Sequence, residues 1–191
     1  MNKFAIIAGI VLLFSCNSNK NPHIQITTNY GNIEAELFAD KAPGTVAAFL
    51  SYVDAGMYKK SSFYRVLLEE SMASNNNTGL IQGGIWQSDN KKAVSIPGIA
   101  HESPRQTGLS HTSGTLSLAR NVAGSANTEF FICIGDHLDF DSSKTANPDG
   151  LGFAAFGRVV SGMTIVREIQ SQPANGQSFV RPVTILNIER L

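Results

Sequence analysis

An arginine inside an apolar run is the first residue that could do chemistry. Arg65 lies in SSFYRVLL, between Phe63, Tyr64, Val66 and Leu67. A guanidinium keeps its charge and offers five N–H donors in a rigid fork, so it can stabilise a lone pair but cannot move a proton. Strand alternation alone reads Arg65 as a solvent-facing residue whose stem lies along apolar neighbours. Other chemistry-bearing types are scattered. His23, His101, His111 and His137 lack the close spacing of a metal pair. Glu69-Glu70 reads as a solvated loop pair, and no GxSxG elbow, HExxH helix or P-loop is present. No metal and no cofactor is expected. Cys133, in FFICIG, reads as an inert core thiol. Proton-transfer and nucleophilic catalysis have no obvious seat, and a fixed donor remains.

The elements that must position that donor are short. IQITTNYGNIEAEL (Ile24–Leu37) reads as two alternating strands around a Tyr-Gly-Asn turn. In APGTVAAFLSYVDAG, Pro43 suits a helix start and Gly56 its exit, with Val46, Phe49, Leu50 and Val53 on one face. Strand-like runs follow at Ser62–Leu67, Leu80–Gly84, Thr115–Ala119, Glu129–Ile134 and Gly152–Val159. A second helix is expected over Ser161–Gln170 and a closing strand over Val183–Leu191. Many short strands with only two helices predict a mainly β protein, a closed barrel without exposed edges.

The 191-residue chain starts with a segment that does not belong to that fold. Lys3 precedes the unbroken apolar run Phe4–Phe14, the length of a signal-peptide hydrophobic region. The run ends in LFSC, which resembles a bacterial lipoprotein signal. Residues 1–15 are then expected to be removed, leaving Cys16 as the lipid-bearing first residue on a polar tether over 16–22. With Cys16 lipidated, Cys133 has no partner and no internal disulfide forms. Residues 23–191 suffice for one domain with a sizeable core. The 15 basic and 15 acidic residues balance, which argues against a nucleic-acid surface.

The fragments FYRV (63–66), IQGG (81–84), GTLSLAR (114–120), EFFI (129–132) and FAAFGRVVSGMTIV (153–166) occur in that order. Together they resemble the cyclophilin-type peptidyl-prolyl cis-trans isomerases, over essentially the whole 23–191 segment. The resemblance implies an eight-stranded antiparallel barrel capped by two α-helices. It implies that Arg65 is catalytic, stabilising the twisted X-Pro amide. It places Phe63 and Phe131 beside the proline pocket, and Gln82 on the substrate backbone and the arginine. Ala119 and Arg120 fall where the strand end meets the peptide, Arg120 replacing a residue that is often asparagine. Phe153 takes a position often held by histidine or tyrosine. Leu138 or Phe140 stands where many members have tryptophan. Glu129 replaces the usual glutamine, and within reach of Arg65 it would pair with the guanidinium.

The family's aromatic residue just before the IQGG segment is missing. Gly79-Leu80 stands there, and Leu80 or Met72 would rebuild that wall at the end of a long link from Val66. The resulting expectation is a monomeric isomerase acting on proline-containing unfolded or exported polypeptides, tethered by lipid on the periplasmic side of a bacterial envelope, the outer membrane favoured. The alternatives are a non-catalytic peptide-binding module or holdase using the same cleft, and a solute- or glycan-binding lipoprotein.

Overall fold

A computed structural model of the protein describes residues 21–69, 77–142 and 147–191. The signal segment, Cys16, most of the tether, Glu70 and Met72 lie outside the described residues. The chain opens with a hairpin of β1 (His23–Thr28) and β2 (Gly31–Leu37). Ile24, Ile26, Ile33, Ala35 and Leu37 point inward from it, alternating with polar residues. Helix α1 (Pro43–Asp54) follows, with proline in its first turn and Val46, Phe49, Leu50 and Val53 buried. Ala42 cannot cap this helix. Instead the Glu102 carboxylate accepts from the Gly44 and Thr45 amides at 3.0 and 2.7 Å.

The remaining strands are β3 (Ser61–Glu69), β4 (Thr78–Gly84), β5 (Thr115–Leu118), β6 (Phe130–Ile134), β7 (Ala154–Ser161), the two-residue β8 (Ala174–Asn175) and β9 (Ser178–Arg190). Their order is β1-β2-β7-β5-β6-β4-β3-β9, and β9 pairs back onto β1, so eight antiparallel strands close a barrel. β8 is a short arm on β9. β9 begins five residues before the Val183 expected from sequence, because its first half completes a hairpin with β8 and its second half seals β3 to β1.

Two longer helices accompany the barrel as expected: α1 packs on β9 and β7, and α5 (Met163–Gln170) on β2 and β4. Three short ones were not foreseen: α2 (Asn90–Ser95), α3 (Pro104–Thr107) and α4 (Asp139–Ser142). None is long enough to show an apolar stripe. Local capping makes two of them, through Asp89 on the Lys92 amide and through a Ser103–Gln106 box. Among the described residues no helix is long and apolar enough to cross a membrane.

The apolar side chains form two groups. In the main core the Phe49 ring meets Tyr58, Phe130 and Phe156, with centroids 4.9–5.6 Å apart. A smaller group holds Leu80, Phe131 and Cys133, with Leu67, Ala119, Phe140 and Phe153 against it. β6 divides its side chains between the two: Phe130, Ile132 and Ile134 go to the core, Phe131 and Cys133 to the other face. Burial pushes the Cys133 thiol far above its usual range, so it stays protonated and inert.

Candidate active site

A break in β3 builds the site. Phe63 faces Gly83 and Arg65 faces Gln82, so Tyr64 is an extra residue between two consecutive partners. In a regular strand Phe63 and Arg65 would share a face. The bulge re-aims the chain: Phe63 and Val66 stay in the core while Tyr64 and Arg65 both line a surface cavity. Strand register then lines up one row across four strands. Arg65 on β3 is opposite Gln82 on β4, Gln82 opposite Phe131 on β6, and Phe131 opposite Ser117 on β5.

The cavity measures about 830 Å³. Of the residues expected from sequence, Arg65, Gln82, Ala119, Arg120, Glu129, Phe131 and Phe153 border it, and so does Leu80. Two do not. Phe63 is fully buried in the main core, its ring edge-on to Phe130 at 5.8 Å. Gly83 is needed there, since a Cβ would lie 2.8 Å from Phe63 Cδ1 and 2.7 Å from Ser62 O. Leu138 is 62 % exposed outside the cavity, because it precedes the turn of α4 that carries Phe140 inward. Phe140 therefore takes the wall for which the two competed, its ring 5.8 Å from Phe131 and 5.4 Å from Phe153. Met72 lies outside the described residues.

Arg65 is held from both sides. Its NH1 donates to Gln82 Oε1 at 2.7 Å, while Nε and NH2 donate to Gln177 Oε1 at 2.9 and 2.5 Å. Three of five N–H groups are thus engaged and two remain for a ligand. Gln177 sits on the turn between β8 and β9, 112 residues from Arg65 in sequence, and nothing in its local sequence marks it as a site residue. The expected Arg65–Glu129 pair is absent. Glu129 is occupied by the Tyr64 hydroxyl at 2.7 Å, the Trp86 amide at 3.0 Å and the Thr128 hydroxyl at 3.1 Å. Burial nevertheless raises its carboxyl above the usual glutamate value.

Arg120 spends its donors on the chain beyond α4. It binds Asp149 bidentately at 2.7 and 2.9 Å, and Gly152 O from Nε at 2.9 Å and NH2 at 2.5 Å. Its guanidinium lies 5.8 Å over the Phe153 ring. The Arg120 hydrogen bonds hold the Asp149 carboxyl well below the usual range. This side chain fastens the Phe153 wall, with four of its five N–H groups spent there.

Behind Phe131 stands His111, its ring stacked at 6.0 Å and 17°. Nδ1 is 2.6 Å from Asp141 Oδ1 and Nε2 is 2.9 Å from Ser117 Oγ. A carboxylate only accepts, so Nδ1 carries the proton and Nε2 accepts from Ser117. The order Ser-His-Asp is that of a hydrolytic triad, but Ser117 and His111 are both fully buried and no carbonyl carbon can approach. The trio is a pillar.

Burial lowers the His111 pKa below 6.5, against the opposing pull of Asp141. The unfolded chain therefore binds the proton first as pH falls. Stability from this group is complete above about 6.5 and is lost progressively below it. Urea midpoints are expected to drop between about pH 7.5 and 5.5. His111→Gln should give a shallower slope, with His101, lowered the same way, supplying part of what remains. An unchanged slope in the variant would overturn the assignment.

Among the described residues no cluster of three His, Cys, Asp or Glu could hold a metal. The family model described as "Cyclophilin type peptidyl-prolyl cis-trans isomerase/CLD" matches residues 23–190. The chain is 32 % identical to a peptidyl-prolyl cis-trans isomerase of Acinetobacter baylyi over 195 aligned positions, covering 99 % of this chain and 95 % of that one. It is 37 % identical to peptidyl-prolyl cis-trans isomerase B of Escherichia coli over 152 positions, 79 % and 85 % of the two chains. A crystal structure of a Cryptosporidium parvum cyclophilin-type isomerase superposes with a TM-score of 0.68 at 19 % identity, over 90 % of this chain and 98 % of that one. Another, of the same protein in the presence of the dipeptide Ala-Pro, gives 0.66 at 20 % identity, over 87 % and 97 %.

Proposed function

The chain belongs to the cyclophilin-type peptidyl-prolyl cis-trans isomerases and is an enzyme of that activity, and from that premise we propose how its residues do the work and where. The substrate is an X-Pro bond in a polypeptide. Rotation about that bond costs about 18–20 kcal/mol, because the twisted amide loses its resonance. In the twisted state the prolyl nitrogen becomes pyramidal and regains a lone pair. A donor already aimed at that position stabilises the transition state more than either planar isomer.

Arg65 supplies that donor. The observation that carries this reading is its restraint by Gln82 and Gln177 beside an apolar wall, with two N–H groups unspent. The proline ring rests on Phe131, between Phe140, Phe153 and Leu80, and the peptide main chain runs past Ala119. Cis–trans exchange on a capped proline peptide, followed by protease-free NMR with wild-type and Arg65→Ala protein, tests the assignment. A binding-only role would rest on a rebuilt wall over 67–79, and residues 70–76 of it lie outside the described residues.

The N-terminal sequence supports an envelope setting, with Cys16 as the lipid-bearing residue and exported polypeptides as clients. Cys16→Ser is expected to move the protein from the membrane to the soluble fraction, or to stall its processing. Mass spectrometry of the wild-type N-terminal peptide should find the acylated cysteine. Unaltered membrane association together with an unmodified Cys16 would defeat this.

A further inference from the structure

Arg65 is the first member of a longer chain of hydrogen bonds. Its NH1 donates to Gln82 Oε1 at 2.7 Å; Gln82 Nε2 donates to the Tyr64 hydroxyl at 3.0 Å; that hydroxyl donates to Glu129 Oε2 at 2.7 Å. A guanidinium only donates and a carboxylate only accepts, while an amide and a hydroxyl can each turn either way. The two fixed ends therefore force one direction on the two adaptable links between them. With Glu129 ionised, Tyr64 must give up its proton to the carboxylate and accept from Gln82. Gln82 must then present its carbonyl oxygen, not its NH2, to Arg65. The carboxylate is seated to do this, taking the Trp86 amide at 3.0 Å and the Thr128 hydroxyl at 3.1 Å on its other oxygen. It also presses so closely on Gly84 that a Cβ there would lie 2.4 Å from Oε1.

We propose that Tyr64 and Glu129 are positioning residues, which fix the orientation of Gln82 and through it aim Arg65 at the substrate. This rests on Arg65 being the transition-state donor. Neither residue meets the prolyl nitrogen. Removing Tyr64 or Glu129 takes away the anchored acceptor that holds the Gln82 NH2, so the amide is free to swing away from the guanidinium and part of the population then holds Arg65 off its aim. Placing a neutral side chain at 129 leaves Tyr64 free to donate to either neighbour. Protonating Glu129 has the same effect.

The relay makes catalysis depend on the charge of Glu129. The ionisable groups facing this carboxylate are Tyr64 on β3 and Tyr58 before it, while Gly84, Trp86 and Thr128 contribute no charge. Burial holds Tyr58 and Tyr64 well above the ordinary tyrosine value, so Glu129 is the group of this set that changes charge in mild acid.

The test is kcat/KM for cis–trans exchange of a capped proline peptide, measured from about pH 4.5 to 7.5. Wild type is expected to lose activity on the acid side, with a midpoint above the ordinary glutamate value of 4.5. Glu129→Gln and Tyr64→Phe should each lower neutral-pH kcat/KM about three- to tenfold and flatten that acid limb. The double variant should be no worse than the more damaged single one, since both break the same chain. Either single variant with a wild-type value and a wild-type acid limb, or full additivity in the double, overturns the relay. The Arg65→Ala control separates the two claims: activity retained there defeats the donor assignment, whereas activity lost there but intact in both relay variants defeats only the relay.

Discussion

Arg65→Ala is expected to lower kcat/KM for proline isomerisation about 100-fold or more, while the melting temperature stays near that of wild type. Deleting one pre-aimed donor to a developing charge costs about 100- to 1000-fold in other enzymes, and here no proton transfer shares the work. The loss should fall on kcat, because the planar amide has no nitrogen lone pair to bind. Stability should change little. The guanidinium lies at the rim of an open cavity, and the partners it leaves, Gln82 and Gln177, also border that cavity, where water can replace it. Arg65→Lys should recover little activity. An ammonium carries the charge but cannot bind Gln82 on one edge and Gln177 on the other while aiming further donors. Wild-type exchange rates with the alanine variant would end the case for Arg65. A parallel fall in activity and melting temperature would recast it as a brace of the fold.

The barrel was legible because its strands alternate. Ile24, Ile26, Ile33 and Ala35 announce the first hairpin, and FFICI splits its side chains between core and cavity as a period of two requires. The IQGG segment was legible as a motif, and the structure supplies the steric reason for its glycines: Gly83 makes room for Phe63 and Gly84 for Glu129. Three things were not legible. The bulge at Tyr64 leaves no compositional mark, since Phe, Tyr, Arg and Val suit a regular strand equally well. Gln177 acts through a hairpin more than a hundred residues downstream, and local pattern carries no such distance. Glu129 reads from sequence as a partner for Arg65 only if the two lie within reach, and sequence does not show that its oxygens go to Tyr64, Trp86 and Thr128.

The bulge also separates two phenylalanines that sequence treats alike, and replacing each by alanine should show it. Phe63 is fully buried in the main core, against Phe130 and over Gly83, with no route for water to fill the space it would leave. Phe63→Ala is therefore expected to cost about 3–5 kcal/mol of stability. For a domain of this size that is a fall of about 6–20 °C in melting temperature. The folded fraction should keep most of its kcat/KM, because the bulge holds Arg65 on the other face. Phe131 is only 2 % exposed, but its ring lies in the smaller group bordering the cavity, between Phe140, Phe153 and His111. Phe131→Ala opens a hollow continuous with solvent, so the stability loss should be the smaller of the two. In the proposed binding mode, however, the proline ring loses the surface it rests on, and kcat/KM should fall about 10- to 100-fold. Much of that fall should come through KM, in contrast to Arg65→Ala. Chemical denaturation read beside exchange kinetics on the folded protein decides between these placements. If Phe63→Ala instead spared stability and damaged substrate binding, Phe63 would belong to the pocket and the bulge would not divide core from site.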